Sequence, residues 1–490
     1  MNSYHLPPWY PIDVAGTIFP SARTRRWNST FRIAFLLGED VDPERLRAAL
    51  ADARRRFPSF FAGLRHGLFW YYIQPMGSVD VLEPEADFPC RPMNMFDKTR
   101  PALHVYYDRR RLAVEISHFI ADGGAGLVFA KALLALYLGK ELPGAPHAGE
   151  LEDSFRKNYS KNASKPAAAR AAWRYRPPVQ PGYLKLIHAA IPAEDILPLA
   201  KARKLTLTDY LLGIYFYAFY LADPCAKKSR KPIQISVPIN LRNHYPSETL
   251  RNFCLFANVG FDPRAKENCS LGDIFDAVKG QLEAANTKEE MHKLLCANGK
   301  MINSLPARLV PNVLKRRVMQ AGYFLTGERR QTSSMSNLGR LNLPPGLARH
   351  VESVEFVTGH SPMLPLKMTV ISDDRFVHLY FPSASPKTDV QREFVRILAG
   401  EGARIFVECN IREGKRADVR CPACGVDLKQ SICPLCGGAA EDTPPLIEGV
   451  AWQDYPAYES NSAAPGGPVR RKGGGERLPL REKIKAFFHF

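Results

Sequence analysis

A histidine and an aspartate stand four residues apart in the stretch VEISHFIADGGAG, which covers residues 114–126. An imidazole has an ordinary pKa of about 6.5, so His118 can take a proton from a hydroxyl or an amine and return it later. The spacing does not by itself bring Asp122 to the imidazole, because the carboxylate can instead pair with a distant cation and hold the loop in shape. Gly123 follows, where the next helix should begin, and glycine allows backbone angles that larger residues resist. Alone, the motif leaves two interpretations open: a proton-transfer site or a structural histidine.

Four cysteines near the C-terminus have the spacing of a metal site. The stretch CPACGVDLKQSICPLCGG holds two C-x-x-C pairs separated by eight residues, formed by Cys421, Cys424, Cys433 and Cys436. In each pair the proline and glycine shape a turn that directs two thiolates to one ion, and two turns complete a tetrahedral Zn²⁺ site. Four cysteine ligands leave no open position, so we expect a structural zinc ribbon whose folding energy comes from the metal. Redox pairing within the C-x-x-C units is the alternative.

The elements that must position His118 are a β-hairpin and a helix. The runs ALHVYYD (102–108) and RLAVEIS (111–117) predict two strands joined by a short turn. The run GLVFAKALLALYLG (126–139) predicts a helix that follows the motif and is closed by glycine. The motif therefore lies where a strand delivers its last residues to the start of a helix.

The rest of the chain predicts a mixed α/β architecture in two halves. Helical periodicity, alternating apolar runs and capping residues divide the sequence into further elements. We expect strands at 31–37, 185–191, 232–242, 333–339, 351–357 and 375–381, and helices at 42–58, 206–222, 272–286 and 391–406.

The composition is that of a globular protein with a basic surface. The chain has 490 residues, a formal charge of +18 and a hydrophobic share of 45%, and its length indicates two or three domains. No apolar run reaches the roughly 20 residues that span a bilayer, and the N-terminus does not resemble a signal peptide. We therefore expect a cytoplasmic location without a transmembrane segment. We expect the six scattered cysteines to be core residues rather than parts of a disulfide framework.

Two further stretches give the histidine motif a context. SVPINLRNHYPSETLRNF (236–253) and SSMSNLGRLNLP (333–344) follow it in the second half. Together with H-x-x-x-D-G, they resemble the CoA-dependent acyltransferase superfamily, in particular the alcohol acetyltransferase-like branch, over residues 8–408. Condensation domains of the superfamily carry two adjacent histidines, whereas position 117 here is serine, which disfavours peptide condensation. The D-F-G-W-G segment of the plant enzymes is not found in the sequence, which disfavours a plant-type enzyme.

The resemblance implies a fold and a division of the chain. The fold class is α/β (α+β), a two-lobed chloramphenicol acetyltransferase-like fold with mixed sheets and a channel between the lobes, plus a small C-terminal zinc ribbon. The expected segments are an N-terminal acyltransferase lobe at 1–160, a linker or crossover at 161–182, a C-terminal acyltransferase lobe at 183–408, the zinc ribbon at 409–440 and a low-complexity tail at 441–490.

The resemblance also implies roles for individual residues. His118 is the general base, and Asp122 is structural and pairs with an arginine of the second lobe, for which Arg242 is the candidate. Ser336 or Asn337 would donate a hydrogen bond to the tetrahedral oxyanion. Transfer is direct, so no nucleophilic Ser or Cys is required. Basic residues would hold the phosphates of the co-substrate acyl-CoA; the candidates are Lys315, Arg316, Arg317, Arg329 and Arg330.

The sequence leads to three hypotheses about function. The leading one is an acyl-CoA-dependent O-acyltransferase acting on an alcohol, with structural Zn²⁺ as the second cofactor; its alternative is condensation-type transfer from a carrier-protein thioester to an amine or alcohol. A zinc-ribbon nucleic-acid-binding protein is disfavoured, because the basic residues lack the aromatic signature of RNA binding. The third is an inactive scaffold whose ribbon and tail dock a protein partner at a membrane, against which the intact His118 and Asp122 argue.

Overall fold

The structure, a computed structural model, describes residues 7–22, 29–77, 79–85, 89–90, 93–140, 151–167, 170–179, 184–303, 310–322, 327–359, 361, 363–410, 419–420, 427–428 and 441–442. The metal-binding prediction falls on residues outside these ranges: Cys421, Cys424, Cys433 and Cys436. The expected low-complexity tail lies outside them as well from residue 443 onward.

The first half of the chain is built from short strands and helices. The strands are β1 (Tyr10–Pro11), β2 (Thr30–Leu37), β3 (Ala62–His66), β4 (Tyr71–Pro75), β5 (Leu82–Pro84), β6 (Leu103–Asp108) and β7 (Arg111–Ser117). The helices are α1 (Ile18–Ala22), α2 (Pro43–Arg56), α3 (Gly123–Tyr137) and α4 (Ser154–Lys157).

The second half adds longer helices. Its strands are β8 (Lys185–Pro192), β9 (Ile233–Asn240), β10 (Cys254–Phe261), β11 (Ser333–Arg340), β12 (Val351–Thr358), β13 (Met368–Ser372), β14 (Phe376–Ser383), β15 (Phe406–Cys409), β16 (Val419–Arg420), β17 (Asp427–Leu428) and β18 (Glu441–Asp442). Its helices are α5 (Ala193–Ala202), α6 (Leu207–Ala222), α7 (Pro224–Lys227), α8 (Leu271–Val278), α9 (Gln281–Ala285), α10 (Lys288–Asn303), α11 (Asn312–Gly322), α12 (Pro345–Ala348) and α13 (Asp389–Gly400).

Three sheets organise the described residues, and two of them are mixed. A five-stranded sheet has the order β12-β2-β7-β6-β5, and a ten-stranded sheet has the order β10-β9-β11-β13-β14-β8-β15-β17-β16-β18. In the larger sheet, β11 runs parallel to both β9 and β13. Strand β12 comes from the second half of the sequence but pairs antiparallel with β2. The two halves are therefore joined by a shared sheet.

Local sequence explains the best-defined helix starts. The carboxylate of Asp42 accepts hydrogen bonds from the N–H groups of Glu44 and Arg45, and a proline occupies the first turn of α2, as expected for an N-cap. Asp122 caps α3 in the same way by accepting from the N–H of Ala125. The aspartate of the histidine motif is thus also a helix start signal.

Two predicted helices are shorter than expected. The helix predicted over 272–286 is divided into α8 and α9, because Gly280 has φ +73° and interrupts the helical backbone. The helix predicted over 391–406 ends at Gly400, and Phe406 already belongs to β15. Gly402 has φ +96°, which places this short connection in the conformation that glycine favours. In both places the helical pattern continues in sequence beyond a glycine that ends the helix.

The apolar cores lie against the two large sheets. One is formed mainly by the five-stranded sheet with α2 and α3, and it includes fully buried Phe31, Phe35 and Phe129. Another is formed by the larger sheet with α6 and α13, around Tyr215 and Phe394. Among the described residues, no single helix has the length and apolar character to cross a membrane; α5 and α6 pass that test only as a pair, bent by 85°.

Candidate active site

The loop that carries His118 is fixed through its backbone. Strand β7 ends at Ser117, and the N–H of His118 donates to the carbonyl of Ser29 over 2.6 Å. The side-chain Nδ2 of Asn252 donates to the carbonyl of His118 over 2.5 Å. Ser29 precedes β2 and Asn252 precedes β10, so elements of both halves hold the histidine in place.

Aromatic rings and a close helix shape the space around the imidazole. Phe19 of α1 stacks on His118 with 5.1 Å between ring centroids and 13° between planes. Phe31 of β2 lies at 4.6 Å, tilted by 42°. Helix α3 closes on the same phenyl ring, because a Cβ at Gly126 would lie 2.5 Å from Phe31. A glycine at this position is therefore needed for packing.

The surroundings keep His118 neutral. Burial of the imidazole, and next the positive charge of Lys367, lower its pKa to about 4, while the carboxylate of Asp122 and the nearby backbone of Ala121 act in the opposite direction. Its Nδ1 is buried, and the backbone of Ala121 is the polar group that acts on the ring from within the loop. Proton exchange with a substrate therefore falls to Nε2. The residue as a whole is only half-buried, so part of it stays open to solvent.

Both carboxylate oxygens of Asp122 accept hydrogen bonds from other residues of the protein. Oδ1 accepts from the N–H of Ala125 over 2.9 Å. Oδ2 accepts from the N–H of Phe253 over 2.8 Å and from Nη1 of Arg242 over 2.7 Å. Asp122 is 3% exposed, and these contacts join the start of α3 to the second half. The arrangement suits a residue that holds the loop rather than one that touches a substrate.

Arg242 is the residue that the resemblance named as the partner of Asp122, and its guanidinium is fully engaged. Nε and Nη2 donate to the carbonyl of Thr249 over 3.1 and 2.9 Å. Nη2 also donates to the carbonyl of Arg251 over 2.7 Å. The planar fork thereby fixes the segment that delivers Asn252 to His118, so the ion pair and the histidine backbone belong to one connected structure.

Ser336 lies on the face of β11 that points toward the histidine loop. Leu338, two residues further and on the same side of the strand, lies 3.0 Å from the position that a Cβ on Gly123 would occupy. Ser336 is partly exposed, and its hydroxyl has no hydrogen bond within the described residues. A free hydroxyl near the motif is the type of donor that can stabilise an oxyanion.

Asn337 lies on the opposite face and has other partners. Its Nδ2 donates to the hydroxyl of Thr208 on α6 over 3.1 Å. Its Oδ1 accepts from the N–H of Gly339 over 2.7 Å. Both polar ends of the amide are therefore used to hold β11 against a helix. Of the two oxyanion candidates, the geometry favours Ser336.

The basic residues expected to hold the phosphates of CoA lie on two separate segments. Nζ of Lys315 donates to the carbonyl of Phe69 over 2.7 Å and lies 3.3 Å from the ring centroid of Trp70, so this ammonium serves packing. The exposed side chains of Arg316 and Arg329 are open to a ligand. Lys315, Arg316 and Arg317 belong to α11, and Arg329 and Arg330 to the 3-10 turn Glu328–Arg330.

Lys367 is a site residue that sequence reasoning missed. It precedes β13, and its positive charge is one of the causes of the lowered pKa of His118. Burial lowers the pKa of Lys367 itself to about 8. The signal in the sequence is a single lysine within the apolar run MLPLKMTVI (363–371). Its position beside the histidine depends on the pairing of distant strands, which that run does not encode.

In the ranges that the structure describes, no three His, Cys, Asp or Glu side chains are arranged to hold a metal ion. The groups that the described residues place near His118 are the hydroxyl of Ser336 and the ammonium of Lys367.

Comparison with known proteins identifies the fold. No family profile and no curated protein matches the sequence. TRI101 of F. sporotrichioides, solved with coenzyme A and T-2, matches at 12% identity with a TM-score of 0.57, over 81% of this chain and 99% of that one. Polyketide synthase associated protein 5 from Mycobacterium tuberculosis matches at 13% identity with a TM-score of 0.52, over 79% and 96%.

A third solved structure extends the likeness to peptide synthetases. The epimerization domain from the third module of tyrocidine synthetase B is 13% identical, with a TM-score of 0.50, over 78% of this chain and 93% of that one. The protein therefore has the mixed α/β, two-lobed chloramphenicol acetyltransferase-like fold, and this expectation from the sequence is confirmed. At these identities the likeness establishes the fold alone.

Proposed function

We propose that the protein is an acyl-CoA-dependent O-acyltransferase that uses His118 as its general base. The observation that carries the proposal is the arrangement around the motif: a neutral, half-buried imidazole whose loop is tied to the second half by the 2.7 Å contact between Asp122 and Arg242. The same fold in TRI101, which was solved with coenzyme A, supports an acyl-CoA as the donor.

The reaction needs only groups that this chain provides. Nε2 of His118 takes the proton of the acceptor hydroxyl, whose oxygen attacks the carbonyl carbon of the thioester. The tetrahedral oxyanion then collapses, the C–S bond breaks, and the leaving thiolate takes the proton from the imidazolium. The new C–O bond replaces the C–S bond, and the proton of the hydroxyl ends on the leaving thiol. His118 is again neutral, and no covalent acyl-enzyme is formed.

We assign the hydrogen bond that stabilises the oxyanion to the hydroxyl of Ser336. Its hydroxyl lies on the β11 face that points toward Gly123 and has no competing partner within the described residues, whereas the amide of Asn337 is held by Thr208 and Gly339. A donor aimed at the position where negative charge develops lowers the barrier most, because the interaction strengthens in the transition state.

The remaining assignments concern the donor and the metal. Arg316 and Arg329 are the candidates for phosphate contacts, since both are exposed and arginine binds phosphate with two parallel hydrogen bonds. The four cysteines from Cys421 to Cys436 would hold a structural Zn²⁺. The spacing of these residues in the sequence supports the assignment.

Thiol release tests the proposal directly. A panel of acyl-CoAs is offered with alcohols and amines, and wild-type turnover is compared with that of His118→Ala. We expect turnover with alcohols and a loss of about 10²–10⁴-fold in the variant, the usual contribution of a general base. His66→Ala is the matched control, because His66 is exposed and lies on β3; it should keep wild-type turnover. Full activity in His118→Ala refutes the mechanism.

A further inference from the structure

Lys367 is tied to the end of the five-stranded sheet at which His118 lies. The N–H of Gly359, just after β12, donates to the carbonyl of Thr30 over 3.0 Å. Thr30 pairs with Ser117, the residue before His118. Nζ of Lys367 donates to the carbonyl of Gly359 over 2.7 Å. The ammonium is thereby held at the same end of the sheet as the imidazole, where β2 lies between β7, which leads to His118, and β12, which leads to Gly359.

No carboxylate of the described residues lies within ion-pair distance of the Lys367 ammonium. In the described part of the chain, its ammonium makes this one hydrogen bond and no ion pair; Glu328 and the thiol of Cys90 act on it only at longer range. An ammonium has three donors, so two remain for other partners. Lys367 is half-buried, and a desolvated charge without a partner is costly.

Four buried or largely buried arginines of this protein contrast with Lys367. Each of the following arginines has a carboxylate partner within 4.0 Å: Arg32 with Glu85, Arg111 with Glu355, Arg242 with Asp122, and Arg251 with Asp13. These four guanidinium groups are thus paired internally, whereas the ammonium near the reacting histidine has no such partner in the described residues. Lys315, which is also buried, donates to the carbonyl of Phe69 and packs on the ring of Trp70 instead. A desolvated titratable group near a reaction centre is a candidate for a functional role.

We propose that Lys367 forms an anion subsite beside His118, which binds a carboxylate carried either by the acceptor alcohol or by the transferred acyl group. The proposal rests on the acyl-transfer function above and narrows its substrate class to hydroxy acids or to dicarboxylic acyl groups. The two remaining donors of Nζ would bind the carboxylate oxygens, while the hydrogen bond to the Gly359 carbonyl keeps the ammonium in position.

Occupation of this subsite would also act on the base. The positive charge of Lys367 disfavours protonation of His118, so a carboxylate that neutralises the charge makes the imidazole a stronger base. The substrate that fits the subsite would thereby raise the proton affinity of His118 at the moment when the reaction requires it. A neutral substrate would not have this effect.

A binding measurement tests the subsite without depending on turnover. Octanoate and octanamide, which differ in charge but not in length, are titrated calorimetrically into the wild type, Lys367→Met and Lys367→Arg. We expect the wild type to bind octanoate about 10-fold or more tightly than octanamide, the range of a hydrogen bond to a charged group. Lys367→Met should lose this preference and Lys367→Arg should keep most of it. Lys367→Gln replaces Lys367→Met if thermal unfolding shows that the latter does not fold.

Two turnover comparisons distinguish the source of the carboxylate. In the first, acetyl-CoA is offered with 8-hydroxyoctanoate or its methyl ester; in the second, octanol is offered with succinyl-CoA or butyryl-CoA. Preference for the charged member, measured as kcat/KM, should appear in one comparison and fall at least about 10-fold in Lys367→Met.

The results that overturn the subsite differ from those that overturn the enzymatic function. Equal binding of octanoate and octanamide to the wild type, or an undiminished octanoate preference in Lys367→Met, excludes an anion subsite at this residue. Full turnover in His118→Ala refutes the acyl-transfer mechanism and leaves the binding preference of Lys367 unaffected.

Discussion

The carboxylate of Asp122 lies 2.7 Å from the guanidinium of Arg242, and this contact connects the histidine motif to the segment that precedes β10. Both side chains are largely buried, and the arginine also bonds the carbonyls of Thr249 and Arg251. The pair therefore does two things at once: it caps α3 and it holds the strand segment whose Asn252 binds the backbone of His118.

Arg242→Met should destabilise the protein by about 3 kcal/mol, because it leaves a buried carboxylate without its partner. Urea unfolding measures the change, and the double variant with Asp122→Asn should recover part of the loss. The matched control is Arg340→Met, which breaks an exposed pair with Asp374 and should cost less than about 1 kcal/mol. Equal costs at the two sites would contradict the role given to the buried pair.

Ser336→Ala should lower kcat by about 10²-fold, the order expected for the loss of one oxyanion donor, with little change in stability. Asn337→Ala removes the bond to Thr208 and should instead lower stability by about 1 kcal/mol while keeping kcat. Steady-state kinetics and urea unfolding of both variants separate the two neighbours. If Asn337→Ala shows the larger kinetic loss, the oxyanion assignment is reversed.

The pH profile of kcat/KM should lack an acid limb near pH 6.5. Burial and Lys367 lower the pKa of His118 to about 4, so the base stays neutral down to that pH and its activity is lost only below it. In Lys367→Met the opposing charge is removed and the acid limb should move to higher pH. Rates measured between pH 4 and 8 test both expectations, and an unmoved limb in Lys367→Met would show that the charge does not act on the histidine.

The lowered pKa of His118 also makes the stability of the protein depend on pH. In the unfolded chain the imidazole binds a proton at a pKa of about 6.5, whereas in the folded protein it does so at about 4. The unfolded state therefore binds more protons between these values, and stability falls as the pH decreases through this interval. His118→Gln, which does not titrate, should lose less stability between pH 7 and pH 4.5 than the wild type does.

Gly126→Ala should destabilise the protein by about 1–3 kcal/mol, the range for overpacking a core. The added Cβ would lie 2.5 Å from the ring of Phe31, which also contacts His118. Gly346→Ala is the control, because nothing lies within 4 Å of its added methyl; its stability should be unchanged or slightly higher. Thermal unfolding of the two variants provides the comparison.

Purified full-length protein should contain about one Zn²⁺ per chain, bound by the two C-x-x-C pairs. Cys433→Ser should lower the metal content, since it removes one of four ligands, and Cys225→Ser, which changes an exposed free cysteine, should not. Elemental analysis and chelator titration measure the content. Metal-free wild-type protein, prepared with zinc present, would refute the site.

Only part of this site could be predicted from the sequence, because the rest depends on contacts between distant segments. His118, Asp122 and Gly123 form a local motif whose order along the chain predicts a strand, a loop and a helix start, and these elements are present. Arg242 could be named only through the family resemblance. Lys367 could not be found, because its place beside His118 depends on β12 pairing with β2 and on a hydrogen bond to Gly359.

The helices show the same limit. The apolar periodicity of 272–286 predicts one helix, but Lys279 and the left-handed Gly280 divide it. A glycine within a helical pattern is compatible with continuation or with an end, and tertiary packing decides between them. Ser336 and Asn337 lie on opposite faces of β11, and packing against α6 decides which of them points to the helix. The local sequence does not predict that contact.

The pairing of β12 with β2 has a consequence for synthesis on the ribosome. The hydrogen-bonding edge of β2 is complete only after residues 351–358 have emerged, more than 300 residues after β2 itself. An open strand edge is a site for pairing with other chains, and multidomain proteins are most prone to aggregate while such edges are exposed. That edge of β2 therefore stays unpaired with β12 while more than 300 further residues are synthesised, and a chaperone that covers β2 would protect the nascent chain in this interval.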